Sequence, residues 1–301
     1  LSGKHTMSHV SPSWHESSFP RNSRLNACLA ASLLGVLAFS AGCAPAEMPA
    51  QAAPPPVCRV DHGPDALVQF SLLSALAAGD YEDGAPLRTV LTAGDFGIGT
   101  FDRLEGEMIL LDGFMLQALG NGTLRPAWLD GTTPFAAVKF FRPDGKLGSL
   151  SAVSLEDFDK QLDAKLPRRN SPYALRLEAT FPTLTLRSVP AQMPPFRPLV
   201  EVVKEQSTWH HQNLRGTLIG FRCPAWVGTL NVAGYHWHFI SSDRTIGGHV
   251  LTCEIADGTL HFDECQALEI RLPQSASFDR FDAKQVDQRD IDRIERQRKA
   301  P

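Results

Sequence analysis

The sequence predicts an α/β fold of the mixed α+β kind: two domains on mixed β-sheets, with a hairpin-rich C-terminal half and a terminal helix. Helix-like and strand-like apolar segments alternate through the first half, separated by Gly, Pro and Asp. After residue 172 the pattern becomes a series of short strands, and the chain ends on a charged segment with spaced apolar residues. A length of 301 residues suits two domains or one large one. Apolar residues make up 43%, charged residues 21%, and the net charge is −4. That balance buries a core and argues against a disordered chain, a coiled coil or a polybasic nucleic-acid binder.

Residues 1–42 read as a secretory signal of the bacterial lipoprotein type, and residues 43–60 as a tether. The apolar run 27–39 follows Arg21 and Arg24 and leads through Ser40-Ala41-Gly42 to Cys43. A positive flank, a short apolar run and small exit residues are the parts of an export signal. A spanning helix needs about 20 apolar residues. Cys43 after Ala-Gly resembles a lipobox cysteine, which is acylated. Ser40 stands where that pattern prefers leucine, which leaves plain signal-peptidase cleavage open. The expected location is the periplasm, free or membrane-anchored through Cys43. Residues 44–56 are Pro/Ala-rich and stay extended. Removing 1–42 takes away Lys4, Arg21, Arg24 and Glu16, so −4 becomes −6. An acidic mature chain suits neither nucleic acid nor an anionic membrane as partner. Cys58, Cys223, Cys253 and Cys265 form no CxxC pair, which argues against a zinc knuckle or a thioredoxin-type site.

Four prolines in 190–198 divide the folded part into 61–195, an N-terminal α/β domain, and 196–301, a metal-binding β-rich domain. Residues 66–79 predict a helix with Gly79 near its C-cap. Residues 87–94 predict a strand or short helix. Residues 107–112 and 114–119 predict two strands joined tightly at Gly113. Residues 134–142 predict a strand, and 154–166 an amphipathic helix with Ser154 and Asp157 imitating a capping box. Segments 174–179 and 184–189 alternate as half-buried strands do. Strands are expected at 216–221, 226–232, 235–241, 249–255 and 259–265, and a charged helix at 278–298.

The chemistry-bearing segment is 234–249. His236 and His238 share one face of a strand, because residues two apart point the same way. A turn centred between Asp243 and Arg244 sets His249 directly opposite His238, with Cβ atoms about 4.5–5.5 Å apart. Three imidazoles on one face suit a divalent ion, most often zinc, with an open position. His-x-His alone is more often a strand with incidental histidines, and the third histidine behind Gly247-Gly248 sets this segment apart. Glu107 heads an apolar strand and Arg187 sits in an alternating one. Each fits either a pocket-facing charge or a solvated strand end.

Over residues 66–295 the chain resembles alpha-acetolactate decarboxylases. The resemblance rests on Gly94-Asp95-Phe96-Gly97-Ile98-Gly99-Thr100-Phe101, Gly106-Glu107-Met108-Ile109-Leu110-Leu111-Asp112-Gly113 and Thr133-Pro134-Phe135-Ala136. It continues through Arg187-Ser188-Val189-Pro190, Arg215-Gly216-Thr217-Leu218-Ile219-Gly220-Phe221, Asn231-Val232-Ala233-Gly234-Tyr235-His236-Trp237-His238-Phe239 and Gly247-Gly248-His249-Val250-Leu251. The resemblance implies that His236, His238 and His249 hold Zn2+, and that Glu107, Arg187 and a C-terminal glutamate, best matched by Glu295, line the same pocket. It also implies a homodimer of two-domain α/β subunits. The implied reaction converts acetolactate to (R)-acetoin and CO2 through a metal-stabilised enediolate, protonated on one face by Glu107 or Glu295. One departure is visible: Phe114-Met115-Leu116-Gln117 lacks the family's tyrosine. Two alternatives stand beside this reading. A cupin-like metal oxygenase also uses His-x-His, but only Asp243 lies between His238 and His249 where its glutamate would be close by. A non-catalytic periplasmic zinc-binding lipoprotein has no use for Glu107 and Arg187.

Overall fold

The computed structural model describes residues 65–296. The apolar run 27–39, Cys43, the Pro/Ala tether and Cys58 lie outside them. In chain order come β1 (Ala66–Phe70), α1 (Leu73–Ala78), β2 (Ala85–Pro86), α2 (Leu87–Leu91), β3 (Phe96–Thr100), β4 (Glu107–Leu111), β5 (Phe114–Ala118), β6 (Leu124–Pro126), β7 (Thr132–Thr133) and β8 (Ala136–Lys139). There follow β9 (Gly145–Ala152), α3 (Leu155–Lys165), β10 (Tyr173–Ser188), α4 (Leu199–Val202), β11 (Ser207–Cys223), β12 (Gly234–Ser241), β13 (Gly247–Cys253) and β14 (Ile255–Glu264). β15 (Ala267–Arg271), α5 (Ala276–Arg280) and α6 (Gln288–Arg296) close the described chain. The fold is of the expected mixed α+β class, dominated by sheets.

One sheet of seven strands runs β15-β1-β8-β3-β4-β5-β6. The other, of six, runs β11-β12-β13-β10-β14-β9, and β11 also pairs with β10. β10, β11, β12 and β13 therefore close on themselves. Inside this closed unit pack Leu175, Leu177, Phe181, Leu218, Trp237 and Phe239, joined by Phe158 and Leu162 of α3. Both sheets draw strands from either side of residue 195, and the described residues belong to one compact unit. The proline-rich break divides the sequence without dividing the sheets.

Strand alternation builds the layer between the sheets. Ile98, Ile109, Leu111 and Ala137 face Ala174, Ile219, Phe221 and Ile240. Met108, Leu110, Ala136 and Val138 take the other face of the first sheet, against Leu87 and Val90 of α2. Lys139 and Asp263 are both buried and pair, so an ion pair fastens β8 to β14 across the two sheets. Cys223, Cys253 and Cys265 are buried free thiols, as small apolar residues would be.

Several expected elements differ. Residues 66–79 form β1 and then α1, because β1 is buried between β15 and β8. A doubly covered strand reads as a continuous apolar run, which periodicity does not separate from a helix. Residues 87–91 settle as helix. Segments 174–179 and 184–189 are one 16-residue strand, whose second edge passes from β14 to β13. Pro182, without an N–H, sits at that change of partner. Residues 226–232 hold a 3-10 turn at Ala225–Val227 rather than a strand. The helix expected at 278–298 is broken: Asp282 Oδ1 accepts from Lys284 N–H (3.0 Å), and Asp287 Oδ1 accepts from Asp290 N–H (3.0 Å). Such local side-chain bonds end and restart helices. The expected helix 154–166 is α3, with Ser154 Oγ accepting from Asp157 N–H at 3.1 Å.

Candidate metal centre

β12 and β13 form the expected hairpin, with His238 opposite His249 and Ile240 opposite Gly247. Asp243 holds the turn by accepting from Ser241 Oγ (2.5 Å), Thr245 Oγ1 (2.9 Å) and Thr245 N–H (3.1 Å). On its other side β13 pairs with β10, which sets Arg187 beside His249. Alternation sends Trp237 and Phe239 into the closed unit, and His236 and His238 toward the first sheet. A Cβ on Gly247 would lie 2.9 Å from Ile109 Cδ1, so glycine there lets the hairpin approach that sheet. Glu107 begins β4 on the face of Ile109 and Leu111 and meets the histidines from the opposite layer.

The structure brings all six expected site residues together. His236, His238 and His249 are buried, and their nearest ring nitrogens lie within 4.8 Å of one another. His236 Nε2 is 3.2 Å from His249 Nδ1. Two nitrogens bound tetrahedrally to one zinc at about 2.0–2.1 Å stand about 3.3–3.4 Å apart, so this spacing suits such an ion. His238 Nδ1–H donates to the Met108 carbonyl at 2.8 Å. Its Nε2 is buried without a hydrogen-bond partner, 3.6 Å from Glu107 Oε2. An orphaned nitrogen facing two other imidazoles is a lone pair waiting for a cation. Glu295 Oε2 lies 3.3 Å from His236 Nε2 and 3.9 Å from His249 Nδ1. Arg187 Nη1 lies 3.4 Å from Glu107 Oε1, and both residues are buried.

Burial sets the protonation states. It pushes the Glu107 carboxyl up to about 7; Arg187 pulls it down and Glu295 adds to the rise. Burial first, then the Arg187 charge, lowers His236 to about 3. His238 and His249 are held well below the usual imidazole range, again chiefly by burial. All three rings are thus neutral at pH 7, the state in which imidazole binds metal.

A small cavity adjoins the cluster, lined by Glu107, Arg187, His236 and Glu295 and walled by Leu73, Leu104, Phe135, Val189 and Leu199. No local pattern announces these apolar walls, which come from α1, α4 and loops far apart in the chain. Leu116, at the departure from the family pattern, packs between the sheets and does not line this cavity.

The family model described as Alpha-acetolactate decarboxylase matches residues 67–285. An alpha-acetolactate decarboxylase of Methanosarcina mazei is 39% identical over 232 residues, covering 77% of this chain and 81% of that protein. One from Bacillus subtilis is 37% identical over 212 residues, covering 70% and 83%. This chain belongs to the alpha-acetolactate decarboxylase family. The crystal structure of alpha-acetolactate decarboxylase from Bacillus subtilis strain 168 matches with a TM-score of 0.75 at 35% identity, covering 77% of this chain and 99% of that one. Membership makes the protein an enzyme of the carboxy-lyase class. Neither the cupin-like nor the non-catalytic alternative draws support from these matches.

Proposed function

We propose that the protein decarboxylates 2-acetolactate to (R)-acetoin and CO2, with Zn2+ held by His236, His238 and His249. The observation that carries the zinc reading is the convergence of three buried neutral imidazoles, one with an orphaned nitrogen, beside Glu107 and Arg187. When bound, the ion would supply a Lewis-acidic site for the neighbouring hydroxyl and ketone oxygens of the substrate. Arg187 pairs with the substrate carboxylate through its planar fork and orients the bond that breaks. As CO2 leaves, the electron pair of that bond moves toward the ketone oxygen. Glu107, raised to about 7, keeps a substantial protonated fraction near neutrality and returns one proton to the hydroxyl-bearing carbon. Delivery from the fixed end of β4 reaches one face of that carbon, which is how a single product hand arises. The apolar walls shield the site from competing water. Export to the periplasm, the lipid anchor at Cys43 and the homodimer belong to the same proposal.

The test is acetoin formation from racemic acetolactate, with and without chelator, followed by chiral analysis. Activity lost on chelation and restored by zinc, giving (R)-acetoin, is expected. Glu107→Gln is expected to retain zinc and lose about 10²–10⁴-fold in kcat. Full activity in metal-free protein would remove the zinc reading, and normal turnover by Glu107→Gln would move the proton donor elsewhere.

A further inference from the structure

Two of the three imidazoles are tied at the far side of the ring to a main-chain carbonyl, and the ties use opposite nitrogens. His238 uses Nδ1, bound to Met108 O at 2.8 Å on β4. His249 uses Nε2, bound to Glu295 O at 3.1 Å on α6. A carbonyl oxygen only accepts, so these nitrogens carry the protons. The lone pairs are left on His238 Nε2 and His249 Nδ1, the atoms that face the cluster. Glu295 lies in the last described turn of α6, and its carbonyl, not its side chain, accepts from His249 Nε2. The helix is seated by Ile291 and Ile294, both buried, and Ile291 lies one turn before Glu295 on the same face.

We propose that the terminal helix builds the metal site through its main chain: the Glu295 carbonyl fixes the His249 tautomer, so that His249 ligates through Nδ1 while His236 and His238 ligate through Nε2. The inference rests on the zinc reading. It makes α6 a positioning element whose contribution outlasts removal of the Glu295 side chain. Partners of this kind, behind a ligand, are worth about 10–100-fold in metal affinity.

The test is ring-nitrogen NMR of the 15N-histidine-labelled full chain, chelated and zinc-loaded, together with zinc competition against a chromophoric chelator. In the chelated wild type, His249 is expected to carry its proton on Nε2. On loading, its Nδ1 is expected to take the metal-bound shift. Glu295→Ala keeps the carbonyl, whereas Glu295→Ala/Ile294→Asp unseats the helix as well. Both lack the carboxylate, so an affinity about 10–100-fold lower in the double variant reports the main-chain contribution. Zinc bound through His249 Nε2 in the wild type overturns the inference, and so do equal affinities in the two folded variants. Should the double variant fail to fold, the wild-type spectrum still decides. A wild type that takes up no zinc overturns the zinc reading itself, an outcome distinct from zinc bound through the wrong nitrogen.

Discussion

Zinc added to the chelator-stripped protein is expected to raise its melting temperature by about 8–16 °C, and His238→Ala is expected to abolish the rise. The magnitude follows from the site. Its three imidazoles are neutral at pH 7, so no proton has to be displaced when the ion enters. An ion that binds only the folded chain, at about a thousand times its dissociation constant, stabilises by about 4 kcal/mol. A folded unit of about 150–250 residues gains about 2–4 °C per kcal/mol, and the described residues 65–296 fall in that range. Differential scanning calorimetry of both proteins, with and without saturating zinc, measures the effect. An equal rise in His238→Ala would place the ion elsewhere, and no rise in the wild type would leave the cluster without a ligand role.

The same burial predicts a pH signature in the stripped protein. His236 titrates at about 3 when folded and near 6.5 when unfolded. Between those values the unfolded chain binds the extra proton. Stability from this group is therefore intact above pH 6.5 and declines as pH falls toward 3, by about 1.4 kcal/mol per pH unit. His236→Ala is expected to remove that much of the slope in urea titrations across the window. Identical slopes would mean that the ring already exchanges protons with solvent in the fold.

Three further outcomes are expected. Arg187→Met removes the positive charge that holds Glu107 down, so the alkaline limb of the rate profile moves to higher pH, and kcat/KM drops about 10–100-fold with the lost charged hydrogen bond. An unmoved limb would separate that limb from Glu107. Lys139→Met leaves Asp263 buried without its cation and costs about 3–5 kcal/mol in urea unfolding, part of which Lys139→Met/Asp263→Asn recovers. Cys43→Ala ends incorporation of labelled palmitate during bacterial expression, and label retained in that variant would remove the anchor.

How legible the site was depended on the sequence distance between its parts. His236, His238 and His249 lie within one hairpin, whose register follows from a turn centred at 243/244 and the two-residue period of a strand. Local rules were enough to align them. Glu107 and Arg187 stood out as charges on strands, yet nothing local said that β4 of one sheet would face β10 of the other. That meeting is a property of the packed layers, and family resemblance supplied it in advance. Glu295 was least legible, because its position depends on a tail that local Asp282 and Asp287 bonds cut into short helices. The burial of Ile291 and Ile294 against α1 and α4 holds α6 where the Glu295 carbonyl meets His249. The same logic explains the miss at 66–79, where apolar residues are required on both faces whether the chain is strand or helix. Sequence patterns show which residues need burial, whereas partners far along the chain decide what buries them. The metal cluster was therefore readable from one hairpin, while the groups that would act on a substrate beside it were not.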